Sequence, residues 1–147
     1  PYVMGAMDAF LRRMETPGVL ALYNDLDGRW NGRAAALNAA LAQAGAPVKV
    51  ANLQTIWTVL YTRPARYNWM LQYYLRAHGL ALSWVGTGRL IFPLDMSDAQ
   101  FGDVVTRFAA AGAEMKADGW WDTPEELTDK AIRRSVMREA FLSRGKS

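Results

Sequence analysis

Apolar and polar positions alternate with a helical period over most of this chain, and the places where that period changes divide it into elements. Val3, Met7, Phe10 and Leu11 follow at helical spacing, with Pro1 suited to the first helical position, and Thr16-Pro17-Gly18 breaks the helix. A long second helix is expected to run to about Gly45. Val19, Tyr23, Leu26, Trp30, Leu37 and Leu41 recur there at three, four or seven residues and form one buried stripe. Arg29, Arg33 and Asn38 fall off that stripe and are expected to be wetter.

The period then shortens. In VKVANLQTIWTVLYT, Val48 and Val50 alternate with Lys49, and residues 56 to 61 are β-branched, aromatic or apolar, which predicts two short strands or one bent one. RYNWMLQYYLRAHG, residues 66 to 79, returns to helix: Met70, Leu71, Tyr74 and Leu75 share a face, and Gly79 is a natural terminator. Residues 80–85 and 90–92 flank a GTG sequence, predicting strand, turn and strand. Ser97-Asp98-Ala99-Gln100 is a capping box for a helix through about Met115. Thr123-Pro124-Glu125-Glu126 is a second one, for a final helix carrying Leu127, Ala131, Ile132, Val136 and Phe141. Strands in nearby pairs, not alternating strictly with helices, predict an α+β fold with helices packed on a small, mostly antiparallel sheet.

The 147 residues are 51% hydrophobic, enough for one domain with a real core. There is no cysteine, which excludes disulfides, thiolate metal sites and a cysteine nucleophile. That absence suits a reducing cytoplasm, where the protein is expected. No apolar run is long enough to span a bilayer, so no membrane partner is expected. The net charge of +3 is mild, with acids and arginines mixed along the chain, and nucleic acid is not the expected partner. PYVMGAMDAF reads as a helix already under way, the expected beginning of a piece of something longer.

Candidate chemistry is sparse. A phosphate-cradling loop needs a helix after its glycines, and a strand follows GTG, so the turn provides no nucleotide site. His78 is the only histidine and stands at a helix end, where a cation is favoured. A transition-metal site is therefore not expected. Glu125-Glu126 and the Asp25/Asp27 pair sit at capping or turn positions. Trp120-Trp121 could contact a partner or cover an end of the core. Lys130, Arg133, Arg134 and Arg138 give the last helix a charged, solvated face. Arg89, beside the turn at the lip of the sheet, reads first as an exposed turn residue; a guanidinium there is also suited to binding a carboxylate with two parallel hydrogen bonds.

These segments resemble, from Pro1 to about Met115, the C-terminal part of class III pyridoxal-phosphate aminotransferases, especially the glutamate-semialdehyde aminomutase branch. PYVMGAMDAFLRRMETPGVL is similar to the family helix that follows a G-T-[FY]-x-x-[NH]-P segment, with Pro1 at its closing proline. VKVANLQTIWTVLYT resembles the strand pair of the family's small domain. YNWMLQYYLRAHGLALSWVGTGRLIFPLDMSDAQF resembles its succession of helix, G-[IL]-x-[LF], hairpin, [ST]-[DE]-x-[DQ] cap and final helix.

The resemblance implies the small C-terminal domain of a fold-type I enzyme that transfers or relocates an amino group through pyridoxal phosphate. The catalytic lysine and cofactor ligands would lie upstream, so it implies no catalytic, cofactor-binding or metal-binding residue here and no cofactor bound by this chain alone. The implied partners are the upstream cofactor domain, an amino-acid or amino-ketone substrate and, for the parent, a second identical subunit. Some family members place a carboxylate-binding arginine in the hairpin region, which makes Arg89 the substrate-side candidate. Residues 1–121 would form the small domain and 122–147 a capped basic helical extension. The alternative is a stand-alone module that uses arginines and tryptophans on an acidic protein or nucleic acid.

Overall fold

The computed structural model of the protein describes residues 2–81, 89–121 and 127–144. Six helices and three strands lie among them: α1 (Tyr2–Met14), α2 (Pro17–Tyr23), α3 (Leu26–Gln43), β1 (Val48–Leu53), β2 (Ile56–Tyr61), α4 (Leu71–Ala77), β3 (Arg89–Ile91), α5 (Asp98–Ala117) and α6 (Asp129–Arg144). A 3₁₀ turn at Asn68–Met70 leads into α4. The expected α+β class holds. The GTG turn, most of the strand before it and the cap at 123–126 lie outside the described residues. Leu80 and Ala81 are not in a strand.

The expected long second helix is two helices. Asn24 is extended, and Asp25 adopts a left-handed backbone with φ 52°. The backbone-competing side chains of this Asn-Asp pair favour such a break. The Asp25 carboxylate folds over Gly28, where any Cβ would collide with it. The buried stripe accordingly starts at Leu26, while Tyr23 is exposed and Val19 only half-buried.

One device ends the next helices. Gly45, Gly79 and Gly119 all have positive φ. At each, the glycine N–H and the N–H after it turn back to the last helical carbonyls: Gly79 to Arg76 and Leu80 to Leu75, for example, at 3.0 and 2.8 Å. This is the glycine-terminated C-cap that L-residues resist. The Ser97–Gln100 capping box is present, its side chain and backbone bonds reciprocal at 3.2 and 2.9 Å.

β1 and β2 form a hairpin, and β3 adds to β2, all antiparallel, in the order β1-β2-β3. Trp57 locks the hairpin turn by donating its indole N–H to the Gln54 carbonyl at 2.7 Å. Asn38 of α3 closes the edge of β1. Its amide donates to the Val50 carbonyl and accepts the Val50 N–H, at 3.0 and 2.7 Å.

Helices cover one sheet face. Val48, Val50, Trp57, Val59 and Leu90 point inward to Trp30, Leu37, Leu71, Phe101 and Phe108. Trp30, Trp57, Phe92 and Phe101 form a mutually packed aromatic group with centroid separations of 5.1 to 6.4 Å. The opposite sheet face is bare among the described residues. By register it carries the row Leu53–Ile56–Ile91 and, next to it, Ala51–Thr58–Arg89. Leu53 and Ile91 are 73% and 72% exposed.

Adjacent residues of β2 should therefore respond oppositely. Trp57→Ala is expected to lower the unfolding free energy by about 3–5 kcal/mol, the usual cost of emptying a large aromatic site. Ile56→Ser, on the bare face, should change it by less than about 1 kcal/mol. Urea titration of both variants checks the sidedness.

Candidate functional site

Arg89 opens β3 directly opposite Thr58 of β2. Strand alternation puts its neighbour Leu90 in the core and Arg89 on the bare face. There it lines, with Thr58, Ala51, Asn52, Leu53 and Ile56, a groove of about 320 Å³. No hydrogen bond or ion pair joins the Arg89 guanidinium to another described residue. An apolar floor with one unpaired guanidinium at its rim can seat an apolar body that ends in a carboxylate.

The segment after β3 is clamped from below. Phe92 bonds through its N–H to the Thr55 carbonyl at 3.0 Å, at the hairpin turn. Arg29 donates to the Leu94 carbonyl. Arg33 donates to the Met96 carbonyl at 2.8 Å and to Asp98 at 2.7 Å. Two arginines one turn apart on α3 thus hold residues 94–98, which connect the end of β3 to the start of α5. The expectation of a wet Arg33 is corrected: it is 7% exposed. Its guanidinium lies 4.6 Å from the Trp30 ring centroid and 5.2 Å from that of Phe101. The rings take its flat faces, which lets a charge stand on the apolar stripe. Its hydrogen bond, and then its charge, hold the Asp98 carboxyl below the ordinary carboxylate range.

The other candidates have structural partners. His78 caps α4 and meets Glu114 of α5 at 2.6 Å, while its carbonyl accepts from Arg107 at 3.1 Å. It ties two helices together. Trp121 is buried and donates to the Gly112 carbonyl at 2.9 Å, whereas Trp120 packs half-buried on Tyr67 with centroids 5.1 Å apart. The two indoles cover an end of the core from different sides. Trp30 and Trp57 are inside it as well. Among the described residues no group of three or more His, Asp or Glu is placed to hold a metal ion. No described helix is long and apolar enough to cross a membrane.

Lys130, Arg133, Arg134 and Arg138 are exposed on α6, as expected. That helix holds five of the 17 cations and two of the 14 acids. The remainder of the chain therefore carries twelve of each, and the whole net charge belongs to α6. The helix is joined to the body through a two-pronged ion pair between Glu139 and Arg66, which lowers the Glu139 pKa chiefly by hydrogen bonding.

No protein-family model matches the chain, and no curated protein matches it. Among solved structures, the chain is similar to a transaminase with pyridoxal phosphate bound. The TM-score is 0.57 over 73% of this chain at 20% identity. The chain spans about a quarter of that transaminase, 26% of its length. The fold is thus that of a small α+β portion of a pyridoxal-phosphate transaminase.

The described residues do not by themselves fit that cofactor. It requires an amine to capture its aldehyde, a carboxylate at its ring nitrogen and donors for its phosphate. Lys49 and Lys130 are exposed on β1 and α6, and the cavity that holds Lys116 has no carboxylate among its described lining residues.

The lowered carboxyl groups set an acid sensitivity. Stability from Asp98 and Glu139 is present above the ordinary carboxylate value of about 4 and is lost as pH falls through the depressed folded values. Urea midpoints measured down the acid range should fall, and Asp98→Asn together with Glu139→Gln should flatten that fall. Arg33→Ala should cost about 2–3 kcal/mol at neutral pH through lost ring packing and the Met96 bond. Arg33→Lys should restore less than half, because an ammonium cannot lie flat between two rings.

Proposed function

We propose that this chain is the small domain of a class III pyridoxal-phosphate aminotransferase of the glutamate-semialdehyde aminomutase kind, forming the substrate side of the active site and inert on its own. One observation carries the reading: nearly three quarters of the chain matches about one quarter of a transaminase with that cofactor bound. The bare faces support it. The apolar row Leu53–Ile56–Ile91 and the wholly uncovered α1, with Met4, Met7, Phe10 and Leu11 each at least 54% exposed, suit a body that packs against a larger one. That body is the upstream cofactor domain of the same polypeptide. Residues 1–121 are the small domain, and 122–147 its basic extension. The parent works as a cytoplasmic homodimer.

The cofactor supplies the electron sink for moving an amino group. This chain supplies a wall. Arg89 binds the carboxylate of an amino-acid or amino-ketone substrate, and the apolar row beside it keeps water from the bound body. The Arg29 and Arg33 clamp fixes the end of β3 and so the height of Arg89 above the sheet.

In the complete polypeptide, Arg89→Gln should raise KM for a carboxylate substrate roughly 10- to 100-fold, as expected for loss of a charge-assisted pair, with kcat changed less. The 147-residue chain mixed with pyridoxal phosphate should leave the spectrum of the free aldehyde unchanged. A stoichiometric lysine adduct would overturn the proposal.

The concentration of all the excess charge on α6 favours one second reading, a module that binds an acidic protein or nucleic acid. Binding to either that falls steeply with salt, and vanishes when Arg133, Arg134 and Arg138 are neutralised, would support it.

A further inference from the structure

The ends of α3, β2 and α5 meet around a pocket of about 320 Å³, lined by Gly45, Pro47, Thr62, Arg63, Lys116 and Trp121. The two charged groups among its described lining residues are both cations. Among the described residues no carboxylate lines it, and neither Lys116 nor Arg63 has an ion pair, whereas Arg12, Arg33 and Arg66 do. We infer that this pocket binds a small dianion, a phosphate monoester or a short dicarboxylate, between Lys116 and Arg63. The inference goes beyond the proposed function and does not depend on it.

Helix ends offer a competing reason for these charges, since α3 and α5 both terminate here and a helix C-terminus favours a cation. Six carbonyls of their last turns already accept from the backbone. Ala44, Gly45 and Ala46 donate to Ala40, Ala42 and Leu41, and Asp118, Gly119 and Trp120 to Glu114, Lys116 and Met115. No ion pair joins the ammonium of Lys116 or the guanidinium of Arg63 to another described residue, so their donors can serve an anion. The C-terminal dipoles of α3 and α5 favour the Lys116 ammonium that stands beside both.

The walls are built to hold that arrangement. The Lys116 ammonium lies against the Gly45 backbone, whose φ of +66° is one that glycine adopts readily. The Thr62 N–H is tied to the Pro47 carbonyl at 2.8 Å, and Asn68 donates to the Arg63 carbonyl at 3.2 Å. Backbone bonds therefore fix the rim while the Thr62 hydroxyl and both cationic heads remain unbonded among the described residues. Trp121 uses its N–H on Gly112 and offers only its ring to the pocket. The volume lies at the small end of the range for ligand sites, which suits a few heavy atoms.

The test titrates the 147-residue chain with inorganic phosphate and, separately, with succinate, at ionic strength held constant with sodium chloride. Backbone amide shifts and thermal midpoints are followed. Saturable shifts at Gly45, Thr62, Arg63 and Lys116, with a rise in midpoint, are expected for at least one anion. The tighter of the two identifies the ligand as phosphoryl or dicarboxylate. Lys116→Met, which keeps the stem, and Arg63→Gln should each weaken binding at least roughly 10-fold and abolish the anion-dependent part of the midpoint rise. No saturable shift with either anion would overturn the inference, as would equal anion stabilisation of the wild type and the double variant. A Lys116→Met midpoint lowered equally with and without anion would leave Lys116 a helix-end cation and nothing more.

Discussion

Four rings decide how this chain closes. Trp30, Trp57, Phe92 and Phe101 come from α3, β2, the segment after β3 and α5, so the four rings join two helices to the sheet. Their edge-to-face and stacked contacts, 5.1 to 6.4 Å between centroids, allow little sliding of helix against strand. Each anchors something beyond itself. Trp57 pins the hairpin turn, Phe92 ties the end of β3 to that turn, and Phe101 begins the buried side of α5. Trp30 and Phe101 together shelter the Arg33 guanidinium that holds residues 96–98.

Charge is used in this fold in three distinct ways. Arg33 is an internal strut, with its flat faces on rings and one nitrogen bonded to a carbonyl and an exposed carboxylate. Arg66 is a surface fastener for α6. Lys116, Arg63 and Arg89 are charges without ion-pair partners among the described residues, the first two in the pocket at the helix ends and the third in the groove of the bare sheet face. Neutral elsewhere, the chain concentrates its remaining excess on α6.

The elements legible in the sequence were those whose signals are local. The Ser97–Gln100 box, the glycine at 79 and the alternation in 48–61 depend on neighbours within a few residues, and each appears as expected. Arg33 was misplaced because residue type outweighed position. It stands three residues after Trp30 and four before Leu37, on the stripe itself, and only the two rings make a guanidinium tolerable there. The break at Asn24-Asp25 was masked by a period that continues on both sides of it. The apolar pattern of α1 is that of any amphipathic helix, and what covers it is not written within it. The Lys116 pocket unites residues 45, 62, 63 and 116, a convergence that no spacing along the chain announces.

The reciprocal pairing of Asn38 with Val50 has a directional consequence. An amide side chain occupies the hydrogen-bonding positions that a neighbouring strand would need, and Asn31 engages Asn52 further along the same margin. The β1 edge is thereby closed at Val50. Among the described residues, the backbone of Arg89 and its β3 neighbours is the side on which a further strand meets no such side chain.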